Sequence, residues 1–412
     1  MSIYMVGIGG IGMSALAQLY HARGERVSGE DKVAGPTTEL LQEKGIIVYI
    51  GEGEAPEDTA LVIFSDAVPA HNKARANARA RGIRELSYFQ ALGEVSRSAR
   101  TIAVAGTHGK TTTTAMLAKI LIDAGKRPTV IVGSLMKDFG SNFVAGDPNL
   151  LVVEACEYRD HVLELTPDIL VLTNIEWDHT DWFVTEAALR ATFERARQMA
   201  KTVIDADVYQ AEPAYATSLI GDFNRDNARA AAAAAKAAFP DISPEHIARS
   251  LKEFQGTWRR FERVGTTREG AVVFDDYAHH PTAVRKTLEA ARADDPRIHT
   301  ASLVVVFQPH LYTRTRDLMQ EFAAAFGAAD QVIVAPIYGA REAPIPGITN
   351  ETLAAAIEAH GTTARAMNSF SEIETYLHSV SNSETRIITM GAGDVYTIAK
   401  RLIDPVSQVR TA

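Results

Sequence analysis

Two glycine-rich loops contain the residues of this sequence best suited to bind phosphate groups. The first loop, GIGGIG at Gly7–Gly12, follows an apolar run, and Asp31 lies 19 residues beyond Gly12. Glycines let a backbone approach a diphosphate at a helix N-terminus, and an acidic residue at this spacing binds a ribose in dinucleotide-binding proteins. The loop therefore indicates a nicotinamide cofactor, another nucleotide diphosphate such as a UDP-sugar, or a plain strand-to-helix turn.

The second loop, GTHGKTTTT at Gly106–Thr114, joins an apolar run to a helical pattern. Its amides can cradle phosphate oxygens, the Lys110 ammonium can neutralise the terminal phosphates, and the Thr111 hydroxyl can reach a magnesium ion. The match to a P-loop is incomplete, because Val104 stands where the first glycine is expected. A dehydrogenase has no use for a second phosphate loop, so we expect ATP on this loop and a different nucleotide on the first.

Polar residues follow two further apolar runs of the same region. Glu154 ends NLLVVE, and His179 comes shortly after DILVL. Ligands of open α/β sheets bind beyond the carboxyl ends of the strands, so Glu154, His179 and Thr111 are predicted to share one Mg²⁺. A surface carboxylate and a loop or capping histidine are the alternative interpretations.

Two polar clusters stand at strand ends nearer the C-terminus. FDDYAHHP contains Asp276, Tyr277 and His279, and FQPHLYTRTRDL contains His310 and Arg314. An arginine can fork to a carboxylate, and histidines can relay a proton near neutral pH. These clusters therefore indicate a substrate site, with capping and turn roles as the alternative.

The elements that must position these residues form an α/β pattern of alternating apolar runs and helical stretches, which favours parallel sheets. A chain of 412 residues is too long for one core. We predict domains at residues 1–97, 98–260 and 261–403, with a tail at 404–412. In the third domain, helices are expected to begin near Thr315, Thr349, Ser371 and Asp394.

Composition excludes several classes of function. The formal charge of −9 argues against nucleic acid as a partner. The single cysteine, Cys156, cannot form an internal disulfide, which fits a reducing compartment. No signal peptide or membrane-spanning run is recognisable in the sequence, so we expect a cytoplasmic protein without membrane contact.

Seven motifs together resemble the Mur ligase family: GIGGIGMS, GTHGKTTTT, TNIEWDH, RRFE, DDYAHHPTAV, QPHLYTRTRDL and GAGD. The resemblance implies three domains, namely a Rossmann-like N-terminal domain for a UDP-sugar, a P-loop ATPase central domain and a Rossmann-like C-terminal domain. It implies an ATP- and Mg²⁺-dependent ligase that joins L-alanine to the carboxylate of UDP-N-acetylmuramate through an acyl phosphate, in peptidoglycan precursor synthesis. A monomer or weak homodimer is expected.

The resemblance also implies roles for individual residues, which fall into four groups. ATP would be bound by Gly106, Thr107, His108, Gly109, Lys110, Thr111, Thr112, Asn227, Arg260 and Asp276. The UDP-sugar would be bound by Gly9, Gly10, Ile11, Gly12, Asp31, Ser65 and Asn142. The amino acid would be bound by Tyr277, His279, His310 and Arg314. Magnesium would be held by Thr111, Glu154 and His179, and the catalytic residues would be Lys110, His279 and His310.

Four departures from the family pattern bear on function. Phe223 replaces a histidine near the adenine, Leu311 replaces an arginine of the amino-acid site, Val144 replaces an arginine, and Cys156 replaces an acidic residue. The chain is also shorter than the family pattern between about residues 200 and 221. We favour the interpretation that it is a compact and active enzyme. A recycling ligase that adds a peptide and a non-catalytic nucleotide-binding regulator are the alternatives.

Overall fold

The computed structural model describes residues 1–294 and 301–403, so the tail predicted at 404–412 lies outside the described residues. The chain packs as two compact units. The first comprises Met1–Glu176, Ala187–Ser218 and Asp226–Thr257, and the second comprises Trp177–Glu186, Leu219–Arg225 and the residues from Trp258 onward. In the ranges that the structure describes, no helix has the length and apolar character needed to cross a membrane.

The first unit begins with a five-stranded parallel sheet of order β3-β2-β1-β4-β5. The strand order reverses between β1 and β4, and such a reversal opens a ligand crevice at the carboxyl ends of the two strands. The GIGGIG loop follows β1 and Ser65 follows β4 directly, so both lie at this crevice. The elements are β1 (Ser2–Val6), α1 (Ile11–Ala22), β2 (Arg26–Asp31), α2 (Pro36–Glu43), β3 (Ile47–Ile50), β4 (Leu61–Phe64), α3 (Lys73–Ala80), β5 (Arg84–Ser87) and α4 (Tyr88–Arg97).

A second sheet of the same unit has six strands in the order β11-β10-β6-β9-β7-β8, with only the β7–β8 pair antiparallel. Its central strands are apolar on both faces, as expected for a sheet covered by helices on both sides. The elements are β6 (Arg100–Ala105), α5 (Lys110–Asp123), β7 (Pro128–Met136), β8 (Ser141–Val144), β9 (Asp147–Glu154), a 3₁₀ segment (Tyr158–Glu164), β10 (Ile169–Leu172), α6 (Glu186–Met199), β11 (Thr202–Ile204), α7 (Ala206–Tyr209), α8 (Asp222–Ala238) and α9 (Pro244–Glu253).

The second unit contains the third sheet, of order β12-β13-β17-β14-β15-β16, in which only β12 runs antiparallel. Two apolar clusters cover its two faces, one around Phe307 and one around Val306. The elements are β12 (Glu262–Thr266), β13 (Val272–Asp276), α10 (Pro281–Asp294), β14 (Ser302–Phe307), α11 (Tyr312–Asp317), α12 (Met319–Ala323), β15 (Gln331–Val334), α13 (Asn350–Ala359), β16 (Ala364–Ala366), α14 (Phe370–Val380), β17 (Thr385–Met390) and α15 (Tyr396–Ile403).

The helix expected near Thr315 begins earlier, at Tyr312, and is divided in two. Leu318 separates α11 from α12 because its backbone, at φ −114° and ψ 24°, leaves the helical path. The stretch of the first unit that was expected to be shortened still contains β11 and α7. The three sheets lie within the three ranges predicted as domains, and the exact domain boundaries remain a prediction.

Candidate active site

The GTHGK loop turns tightly between β6 and α5. Gly106 has φ 124° and Gly109 has φ 82°, in the left-handed region that favours glycine. A Cβ atom on Gly106 would come within 2.3 Å of Thr173 Oγ1, and one on Gly109 within 2.3 Å of Asn227 Oδ1. Both glycines of this loop are therefore required by backbone conformation and by space.

Lys110 is the first residue of α5, and its side chain folds back over the loop. The ammonium donates to the Gly106 carbonyl oxygen at 2.5 Å and forms an ion pair of 2.9 Å with Glu157. Burial is the largest single effect and would lower the pKa of Lys110, but Glu157 and the other acidic groups nearby together outweigh it, and the net pKa is raised. A charged lysine thus stands at the loop that is predicted to hold the ATP phosphates.

The loop is fastened to the segment that follows β10. The His108 amide donates to Asn174 Oδ1 at 3.0 Å, and the Thr107 hydroxyl donates to the Glu176 carbonyl oxygen at 2.8 Å. The His108 ring lies 3.0 Å from the Glu176 carboxylate. Sequence reasoning took TNIEWDH as a metal motif and missed this anchoring role of Asn174 and Glu176.

Two of the three predicted magnesium ligands meet in the first unit. The Thr111 hydroxyl donates to Glu154 Oε1 at 3.0 Å, and the Gly133 amide donates to Glu154 Oε2 at 2.7 Å. A hydroxyl and a carboxylate are hard oxygen donors, so this pair fits a magnesium ion beside the phosphate loop. The third predicted ligand, His179, belongs to the second unit and has φ 52°.

Asn227, the predicted adenine contact, lies in α8 close to the phosphate loop. Its Oδ1 accepts a hydrogen bond from the Thr113 hydroxyl at 3.2 Å. Phe223, four residues earlier in the sequence, belongs to the second unit, where its ring covers Gly221. Burial raises the pKa of the Cys156 thiol to about 12, so the residue that departs from the family's acidic pattern is neutral.

The first glycine loop is held by the acidic residue that was predicted to face a ribose. Asp31 Oδ2 accepts from the Gly9 amide at 2.8 Å. Gly7 has φ 79°, and a Cβ atom there would lie 3.0 Å from Ser65 Cβ. No side chain caps α1 at Gly10. The predicted residues Gly9, Gly10, Ile11, Gly12, Asp31 and Ser65 therefore lie around one helix N-terminus.

Asn142, also predicted to bind the UDP-sugar, is completely buried on β8. Its amide nitrogen donates to the Ile11 carbonyl oxygen and to Ser14 Oγ, and its Oδ1 accepts from Gln18 at 3.0 Å. These bonds attach helix α1, which follows β1 of the first sheet, to strand β8 of the second sheet. A contact between Asn142 and the sugar nucleotide remains a prediction.

The second unit brings together the residues predicted to bind the amino acid. The rings of His279 and His310 lie 6.2 Å apart, and that of His310 stacks on Tyr338 at 5.6 Å. Burial and the Arg314 guanidinium lower the pKa of His310 to about 3 and hold the pKa of His279 well below its usual range. Both imidazoles are therefore neutral at pH 7.

Hydrogen bonds assign different tautomers to the two histidines. His279 Nδ1 lies 2.9 Å from the Tyr277 carbonyl oxygen, which can only accept, so this nitrogen carries the proton and Nε2 is an acceptor. His310 Nδ1 lies 3.2 Å from the Arg314 guanidinium, which can only donate, so His310 presents an Nε2–H donor. The sequence could not distinguish these two roles.

Arg314 is itself tied to a carboxylate that sequence reasoning did not use. Its Nε donates to Asp178 Oδ1 at 2.7 Å, and both side chains are buried. Burial is the largest single effect and would raise the pKa of Asp178, but Arg314 and the neighbouring histidines together outweigh it and hold that pKa well below its usual range. A second cation of this unit, Arg341, lies 2.6 Å from Asp181 and was also missed.

The remaining predicted ATP residues lie near the start of β12 and the end of β13. Asp276 accepts from the Thr287 hydroxyl at 2.7 Å, and burial raises the pKa of its carboxyl. The Arg260 guanidinium lies 5.0 Å from the centre of the Tyr277 ring.

The neighbouring Arg259 is buried and holds the GAGD turn in place. Its guanidinium donates to Asp275 at 2.7 Å and to the carbonyl oxygens of Gly391 and Gly393.

Three doubly wound sheets and a lysine-bearing phosphate loop define a nucleotide-binding α/β protein of the P-loop class. Family models match three successive parts of the chain. The Mur ligase family catalytic domain matches residues 2–100, the Mur ligase middle domain matches 104–195, and the Mur ligase glutamate ligase domain matches 259–393. The chain belongs to the Mur ligase family.

Individual relatives share nearly the whole chain. The UDP-N-acetylmuramate–L-alanine ligase of Desulfitobacterium hafniense is 35% identical, over 97% of this chain and 99% of the relative. That of Rubrobacter xylanophilus is also 35% identical, over 98% and 99%. The structure of UDP-N-acetylmuramate–alanine ligase from Thermotoga maritima matches with a TM-score of 0.81 at 27% identity, covering 98% of each chain. The first alignment spans 448 positions, more than the 412 residues here, so that relative contains segments this chain lacks.

Proposed function

We propose that this chain is an ATP-dependent ligase that joins L-alanine to the lactyl carboxylate of UDP-N-acetylmuramate. The observation that carries the proposal is the charged Lys110 at the N-terminus of α5, inside a two-glycine loop and beside Thr111 and Glu154. The near full-length likeness to alanine ligases supports the choice of substrates. ATP and UDP-sugars are cytoplasmic metabolites, so we place the reaction there.

The first unit would carry out the phosphoryl transfer. The carboxylate is ionised at neutral pH and attacks the γ-phosphate of ATP, with ADP as the leaving group and an acyl phosphate as the product. Lys110 would stabilise the negative charge that develops on the phosphoryl oxygens. Thr111 and Glu154 would hold Mg²⁺, which when bound neutralises phosphate charge.

The second unit would present the amino acid. His279 Nε2 is an acceptor, so we propose that it takes the proton that the alanine ammonium must lose before the amine attacks the acyl phosphate. His310 presents an Nε2–H and would donate to an oxygen of the substrate instead. Attack by the amine forms the amide bond and releases phosphate.

Isotope transfer tests the acyl phosphate directly. UDP-N-acetylmuramate labelled with ¹⁸O in its carboxylate is incubated with ATP, Mg²⁺ and L-alanine, and the released phosphate is analysed by mass. We expect one ¹⁸O atom per phosphate, since the attacking carboxylate oxygen remains on phosphorus. Unlabelled phosphate would show that water, and not the carboxylate, attacks ATP.

A further inference from the structure

A side-chain pair connects the loop after β4 with the 3₁₀ segment that follows β9. His161 Nε2 lies 2.7 Å from Asp66 Oδ2. Asp66 directly follows Ser65, the predicted contact of the uridine nucleotide, and both residues lie in the first unit. The pair thus joins the rim of the first-sheet crevice to the second sheet.

The surroundings of His161 fix the orientation of its ring. The imidazole stacks on Phe89 with 3.6 Å between ring centres and 13° between planes, and the Tyr158 ring meets it edge-on at 6.2 Å. Nδ1 is buried and has no hydrogen-bond partner among the described residues. A donor on that nitrogen would be buried without an acceptor, so Nε2 is the nitrogen that carries the proton donated to Asp66.

The 3₁₀ segment is also connected, through the residue that precedes it, to the lysine of the phosphate loop. It follows Glu157, the partner of Lys110, and the intervening Arg159 and Asp160 have φ 54° and 61°. Such angles are unfavourable for residues other than glycine, so contacts around the segment must hold them in place. One such contact joins Asp160 to the Thr192 hydroxyl.

The rest of the loop after β4, which extends to residue 72, is anchored to elements around the first sheet. The Asn72 amide donates to Glu30 Oε1 at 2.9 Å, and the Arg75 guanidinium donates to the Val68 carbonyl oxygen at 2.6 Å. These bonds hold the C-terminal part of the loop. Its N-terminal part, next to the predicted nucleotide contact, is held by the Asp66 side chain and His161.

We propose that His161 and Asp66 form a positioning pair that sets the loop after β4 for the sugar nucleotide. The pair acts as a hydrogen bond between the two sheets of the first unit and contributes to binding of UDP-N-acetylmuramate, not to phosphoryl transfer. This inference rests on the proposed function for the identity of the nucleotide.

Steady-state kinetics of four variants test the pair. Asp66→Ala removes the acceptor, and His161→Phe keeps a ring on Phe89 but removes the donor. Each is expected to raise KM for UDP-N-acetylmuramate about fivefold, the effect of one lost hydrogen bond, with kcat and KM for ATP unchanged. The double variant should be no worse than either single variant. Asp66→Asn keeps an acceptor oxygen and should resemble the wild type.

The chain offers a matched control pair. His378 and Glu269 in the second unit make a similar contact of 3.2 Å, so Glu269→Ala should leave KM for the sugar nucleotide unchanged. A normal KM in Asp66→Ala, or an equal rise in KM for ATP, would overturn the proposal. Asp66→Asn behaving like Asp66→Ala would overturn the role of the Asp66 oxygen as a hydrogen-bond acceptor. Calorimetric titration with UDP-N-acetylmuramate measures binding without turnover, so it tests the pair even if the wild type proves inactive. An inactive wild type would overturn the proposed function and leave the test of the pair intact.

Discussion

The Lys110 ammonium and the Glu157 carboxylate lie 2.9 Å apart, and the Glu157 side chain is only 1% exposed. Glu157 stands three residues beyond Glu154, so one strand end supplies both a candidate metal ligand and the counter-ion of the phosphate-loop lysine. The pair keeps the lysine charged in the absence of nucleotide. Two roles of Lys110, in stability and in catalysis, can therefore be separated by experiment.

Lys110→Met should abolish ligase activity and also destabilise the protein. The substitution removes the cation from a buried ion pair and keeps the Glu157 carboxylate buried, a loss of about 3–5 kcal/mol in the free energy of unfolding. In Lys110→Met/Glu157→Gln the buried negative charge is gone as well, so the thermal midpoint should recover while turnover stays absent. Recovery of turnover in the double variant would show that Lys110 does not act on the phosphates.

Glu154→Gln should weaken the response to magnesium. The amide supplies a neutral oxygen in place of a charged one, so the Mg²⁺ concentration for half-maximal activity should rise about tenfold or more. Magnesium titrations at saturating ATP measure this value. Glu253→Gln, at the exposed end of α9, serves as the control and should leave the titration unchanged.

His279 and His310 should affect different kinetic constants. His279→Gln removes the proposed proton acceptor and should lower kcat by about a hundredfold or more. His310→Asn keeps an N–H donor and should mainly raise KM for L-alanine. Equal losses of kcat in both variants would contradict the tautomers assigned from the contacts with Tyr277 and Arg314.

The same histidines should make folding sensitive to acid. The pKa of His310 is about 3 in the folded protein against 6.5 ordinarily, so the unfolded chain binds a proton below pH 6.5 that the folded chain does not. Stability should therefore fall as the pH drops from 6.5 towards 3. At pH 5 the lowered pKa of His310 reduces the free energy of unfolding by about 2 kcal/mol. Between pH 7 and 5, the free energy of unfolding should therefore decrease less in His310→Asn than in the wild type. Parallel pH dependences in chemical denaturation would contradict the assigned shift.

The two phosphate loops could be predicted from the sequence because their determinants are local. Glycines at positive φ between a strand and a helix, followed by Lys110, identify the second loop without any distant contact. The family, the α/β fold and the reaction class followed from motifs of this kind. The division of α11 from α12 did not, since a break at Leu318 depends on tertiary packing and on no glycine or proline.

The pairings inside the site could not be predicted, because they join residues far apart in the chain. Asp178 and Arg314 are separated by 136 residues, and Lys110 and Glu157 by 47. The assignment of Asn142 to the sugar nucleotide stays a prediction, and the motifs gave no sign that its buried amide joins α1 and β8. A residue type at a strand end indicates a site, but its partner depends on the topology of the sheet.

Release of phosphate from ATP, measured with and without UDP-N-acetylmuramate and with single amino acids, tests the central claim most directly. We predict release that requires both the sugar nucleotide and L-alanine, together with an alanyl product identified by mass. A tripeptide in place of L-alanine should give neither phosphate release nor a ligated product. Release with the tripeptide alone would assign the chain to peptide recycling, and tight ATP binding without any release would contradict ligase activity altogether.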